Sequence, residues 1–150
     1  MRRLAACVVL LSLVLAGCGG GDTEQSNAYV DSVNLAQTRF ASSFERLARD
    51  ITSSSTPAQD AKTLRSIEAT INATVADLRK IKPPDKAKGP HDQLVEAIAA
   101  YGAAIGAAEG KLGGSAAQAT AAEARLAADT ARTSTQVNQA IAAINQKLRE

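Results

Sequence analysis

Apolar residues recur along this chain at intervals of three and four, the period of one face of an α-helix. Val30, Val33, Phe40, Phe44, Leu47 and Ile51 form one such stripe, with Gln37 as its single polar step. Leu64, Ile67, Ile71, Val75, Leu78 and Ile81 form a second, and Leu94, Ile98, Tyr101, Ile105, Ala108 and Leu112 a third. A fourth runs through Leu126, Thr130, Thr133, Val137, Ile141, Ile144 and Leu148. No stretch alternates apolar and polar residues for long enough to predict a strand.

The breaks between stripes carry their own chemistry. Thr56-Pro57-Ala58-Gln59 sets a cap, a proline at the first helical position and a capping-box partner in order. Lys82-Pro83-Pro84 stops the second stripe, because proline donates no amide and disfavours helix in the residue before it. Gly89-Pro90 opens the third, Gly113-Gly114 closes it, and Ser115 with Gln118 caps the fourth. The spacing predicts helices over 27–53, 57–81, 90–112 and 115–149. Four amphipathic helices with short connections predict an all-α fold, an antiparallel up-down four-helix bundle over 27–150.

Residues 1–17 belong to something else. Arg2 and Arg3 precede an apolar run from Leu4 to Ala16, broken only by Ser12. A basic start, a short apolar run and a small-residue end form an export signal. Crossing a bilayer takes about 20 apolar residues, more than this run supplies. Gly19, Gly20 and Gly21 and the polar residues after them predict a flexible tether over 18–26, reaching about 25 Å when extended.

The four residues Leu15-Ala16-Gly17-Cys18 resemble the lipobox of bacterial lipoproteins. That resemblance implies cleavage before Cys18, a diacylglyceryl thioether on its sulfur and an acylated amine. Two acyl chains anchor a protein stably where one holds only reversibly. The implied location is extracytoplasmic, on the bacterial cell membrane, with membrane lipid as the first partner. Cys7 leaves with the leader and Cys18 is committed to lipid, so the domain expects no disulfide, no cysteine-type zinc site and no thiol nucleophile.

Charge and composition narrow the picture. Both leader arginines account for the formal +2, leaving 15 basic and 15 acidic residues after position 17. A neutral domain offers no general electrostatic attraction to nucleic acid. Residues 18–150 hold 29 alanines against 25 Val, Ile, Leu, Phe and Tyr. The expected core is lean, and leanest over 115–125.

Ligands for catalysis are scarce. A di-iron bundle needs paired carboxylates and Glu-x-x-His steps, whereas His91 is the chain's one histidine. Beside Asp92 at a helix start, it reads as an exposed first-turn residue, and Tyr101 as core packing. No Ser-His-carboxylate arrangement or phosphate loop is recognisable. The expectation is a non-enzyme with no metal and no cofactor beyond covalent lipid on Cys18. Arg79, Lys80, Lys82, Lys86 and Lys88 are opposed only by Asp85 within 79–88. Bundle topology returns this loop to the tethered end, making these five the candidate contact with an anionic membrane surface. Their alternative role is to complement a helix C-terminus and solvate a loop.

The stretch LRKIKPPDKAKGPHDQLVEAIAAYGAAIGAA, from Leu78 to Ala108, resembles a pattern in small helical lipoproteins of actinobacterial-type bacteria. There a Leu-x-x-Ile/Leu-x-Pro-Pro helix end precedes a His-x-x-Leu helix. The resemblance implies fold and location and no activity. Murein lipoprotein offers a contrast, because it is one long helix ending in a peptidoglycan-linked Lys, and this chain ends in Glu150. The expected function is a membrane-anchored interaction or scaffold module of the cell envelope, meeting an envelope protein or wall polymer. The alternative is a helical bundle that binds or senses a small apolar ligand.

Overall fold

The computed structural model describes residues 23–49, 55–112 and 114–150, which form four helices packed on one another with no strand among them. α1 is Thr23–Ala48, α2 Pro57–Lys80, α3 Lys88–Leu112 and α4 Ala116–Arg149; a single 3₁₀ turn, Asp85–Ala87, leads into α3. α1 packs mainly on α2, α2 on α3, and α3 on α4. The leader, Cys18, Ile51 and the Phe44 side chain lie outside the described residues.

Both predicted capping boxes form. Thr56 N donates to Gln59 Oε1 at 2.8 Å and Gln59 N returns a bond to Thr56 Oγ1 at 3.3 Å. Ser115 and Gln118 repeat the pair at 2.8 and 3.3 Å. Each box satisfies two of the amides that a helix start leaves orphaned.

Three boundaries move by two residues or more. α1 begins at Thr23, so residues 23–26 of the expected tether are helical. Glu24 complements the positive helix end, and Ser26 is already buried. α1 closes at Ala48, five residues before its expected end; Arg49 forms a turn. α3 begins at Lys88, not at residue 90. Pro90 is tolerated there because the first four amides of a helix have no intrahelical acceptor, so its missing N–H costs nothing.

Neighbouring helices run antiparallel. Arg65 near the start of α2 bonds Glu109 near the end of α3 at 2.8 Å, and Tyr101 of α3 meets Thr130 of α4 at 3.2 Å. The largest fully buried side chains are Val33, Ile71, Leu78, Leu94, Ile105, Val137, Ile141 and Ile144. Those on α4 all fall in its second half, while its first half buries only Ala122, Leu126 and Thr130. Leu35, absent from the predicted stripe, is 51% exposed.

Two glycines of α3 bring α2 close. A Cβ at Gly102 would stand 3.1 Å from Ile71 Cγ2 and 3.2 Å from Asn72 Oδ1, and one at Gly106 would meet the Glu68 carboxylate at 2.7 Å. At Gly110 a Cβ meets nothing within 4 Å. Gly110→Ala should therefore stabilise the fold by about 0.5–1 kcal/mol through helix propensity alone. Gly102→Leu should destabilise it by about 1–3 kcal/mol through overpacking. Urea titration of both variants checks the pair, and a neutral Gly102→Leu would refute the close approach of α2 and α3.

Candidate functional site

The first turns of α1, the end of α2, the 3₁₀ turn, the start of α3 and the end of α4 gather at one end of the bundle. The polar joint holding them is His91. Contrary to the expectation of exposure, it is 3% exposed. Its Nε2 lies 3.1 Å from the Leu78 carbonyl and its Nδ1 lies 3.1 Å from the Tyr29 hydroxyl. A carbonyl only accepts, so Nε2 carries the proton, and Nδ1 accepts from Tyr29. The two rings meet edge to face, with centroids 5.6 Å apart. One neutral imidazole thereby ties α1 to the end of α2.

The reason for burial is positional. The 3₁₀ turn buries Ala87 and extends the helical path back to Asp85, which turns His91 inward instead of leaving it at a frayed first turn. The ring then satisfies both nitrogens without water, as a buried polar group must. Tyr29, 2% exposed and absent from the predicted stripe, is the residue that sequence reasoning missed. Its signal was available: Tyr29 sits one step before Val30 and four before Val33, on the edge of the apolar face.

Burial lowers the His91 pKa from 6.5, outweighing the Leu78 hydrogen bond and the Asp92 charge, both of which raise it. Burial pushes the Tyr29 hydroxyl well above its ordinary range. Each group is neutral at neutral pH.

The five candidate surface cations are dispersed in their roles. Lys80 pairs with Asp77 at 3.0 Å. Lys86 is half-buried and lies close enough to the C-terminus to help lower the Glu150 pKa, which is held down chiefly by the Lys147 hydrogen bond. Arg79, Lys82 and Lys88 line one open cleft of about 520 Å³ with His91 in its wall. Asp85, Asp92 and Glu96 line the same cleft. Helical folding thus brings two carboxylates from beyond 79–88 against the basic cluster, and the cleft itself is charge-balanced.

Elsewhere Tyr101 is half-buried on the α3–α4 seam, its hydroxyl bonded to Thr130. No group of three His, Cys, Asp or Glu side chains among the described residues could hold a metal ion. No described helix is long and apolar enough to cross a membrane. Searches find no matching protein family, characterised protein or solved structure.

The buried histidine predicts a pH dependence. The unfolded chain takes up a proton near 6.5, while the folded chain takes it up only at lower pH. Between the two values the unfolded state binds more protons, so the His91 contribution is complete above about pH 7 and declines on acidification. His91→Gln keeps a donor for Leu78 and an acceptor for Tyr29 without titrating. Thermal unfolding from about pH 7.5 to 5.5 should show a falling Tm in the natural chain and a flatter profile in His91→Gln. An unchanged slope would remove His91 as its source.

Proposed function

We propose that this chain is a lipid-anchored, extracytoplasmic module of a bacterial envelope that acts by non-catalytic interaction. The observation that carries this reading is Leu15-Ala16-Gly17-Cys18 behind a basic, apolar leader. Bundle geometry supports it. α1 begins at Thr23, so the five residues from Cys18 to the helix span at most about 17 Å. An acylated Cys18 would hold the His91 end of the bundle against the membrane. Arg79, Lys82 and Lys88 are exposed there and make no ion pair among the described residues. Their carboxylate neighbours in the cleft leave the lipid, and not surface charge, as the main source of membrane affinity.

Function in this reading comes from position. The module presents its helical faces a fixed short distance above the bilayer to an envelope protein or wall polymer. Cys18→Ala should move the chain from the membrane fraction to the soluble fraction on cell fractionation. Retention of that variant with membranes would sink the reading.

One observation favours the apolar-ligand alternative. A groove of about 760 Å³ runs between α3 and α4 over an alanine-rich floor. If it takes acyl chains, extracted lipid should raise the Tm of the chain, and Ala108→Leu should abolish the rise. An identical Tm with and without lipid removes this alternative.

A further inference from the structure

The outward face of α1 and the groove between α3 and α4 are complementary in charge and spacing. Ala104, Ala108, Ala122 and Leu126 contribute to the apolar lining of the groove, and Lys111, Arg125 and Arg132 supply its cations. Asp129 lies 3.7 Å from Arg125 and 3.1 Å from Arg132, so its one carboxylate is shared by two guanidinium groups that stay 78% and 67% exposed. The groove therefore keeps a surplus of positive charge over an apolar lining.

On α1, Glu24, Ala28, Asp31 and Leu35 follow one another at helical spacing, and all four are exposed. Leu35 is the one large hydrophobic residue exposed among the described residues. Glu24 and Asp31 make no ion pair there. This is an acidic ridge with a single apolar knob.

We infer that the chain self-associates head to tail, the α1 ridge of one copy seated in the α3–α4 groove of the next. Glu24 and Asp31 are seven residues apart, as are Arg132 and Arg125, about 10.5 Å along a helix in each case. With α1 of one copy antiparallel to α4 of the next, Glu24 meets Arg132 and Asp31 meets Arg125. Ala28 then lies near Asp129, and Leu35, four residues on, falls at Ala121 and Ala122. The reversed direction would set Leu35 against Gln136 instead. The chosen direction also matches that of α1 to α4 within one bundle, so successive copies point the same way, as chains anchored in one membrane must.

A contact of this kind uses a different surface on each partner, leaving a free ridge at one end and a free groove at the other. It closes into a ring or continues as a filament. The inference deepens the interaction-module reading by naming a second copy of the chain as the partner. Its test is independent of the anchor.

Two full-length chains with different tags, one carrying Leu35→Cys and the other Ala121→Cys, are co-expressed, oxidised in isolated membranes and resolved on a non-reducing gel. The expected result is a disulfide-linked dimer bearing both tags, absent from chains with only the natural cysteines. Adding Asp31→Arg to the ridge copy should cut its yield about fivefold by facing Arg125 with a like charge, and Arg125→Asp in the groove copy should restore it. Three results would overturn the inference: no mixed dimer above background, an equal yield from Leu35→Cys with Gln136→Cys, or capture of Ala121→Cys only by a different protein. Membrane fractionation of the same samples scores the anchor separately, so a lost dimer with retained anchoring leaves the module reading standing.

Discussion

Bulky apolar side chains are in short supply here, and the rest of the structure follows from how they are spent. Residues 18–150 hold more alanines than Val, Ile, Leu, Phe and Tyr together, too few large chains to fill a bundle evenly along its length. Leu78, Leu94, Ile141 and Ile144 are concentrated toward the end where His91 sits. Toward the other end α4 offers α3 little beyond alanine, Leu126 and Thr130. Close approach substitutes for bulk at Gly102, where a Cβ would press on Ile71 and Asn72 of α2, while at Gly106 it would displace the Glu68 carboxylate. Between α3 and α4 small side chains leave the groove unfilled. Dense packing at one end and an open groove toward the other have the same origin.

A lean core raises the importance of individual polar joints. α1 packs mainly on α2, and Tyr29 gives it a second attachment, to His91 at the start of α3. Each atom of that joint is satisfied only while the ring is neutral, with one nitrogen donating and the other accepting. Protonation would make Nδ1–H a donor to the Tyr29 oxygen and leave the hydroxyl hydrogen without its acceptor in a buried site. The joint is thus specific in geometry and conditional in charge, a property that an apolar contact of the same area would not have.

Legibility followed the physics of each feature. The second, third and fourth stripes, the described part of the first, both capping boxes and the proline stop depend on neighbours in sequence, and they appear where the residue order sets them. Helix ends were less legible. Pro90 marks a helix start by propensity, yet the 3₁₀ turn carries α3 back to Lys88, because a proline in the first turn forfeits no hydrogen bond. His91 was misjudged because its burial depends on Leu78 and Tyr29, 13 and 62 residues away. The basic cluster looked isolated along the chain, but Asp92 and Glu96 return to it one and two turns into α3. The groove required knowing which alanines face each other across two helices.

Geometry links the tether to the proposed assembly. Contacts between Tyr101 and Thr130 and between Tyr29 and His91 set the levels of the helices, and by them Arg132 stands about 13 residues above Glu24 along the bundle. Seating Glu24 of one copy at Arg132 of the next displaces the copies by about 20 Å along their axes. If Cys18 is acylated as proposed, the five residues from it to α1 extend to at most about 17 Å, so upright copies with that stagger would not all keep it in one bilayer. Inclined bundles could, because tilting turns axial stagger into lateral spacing. A row of such bundles would lean over the membrane, each resting its open groove on the ridge of the next, and the short tether would set the angle.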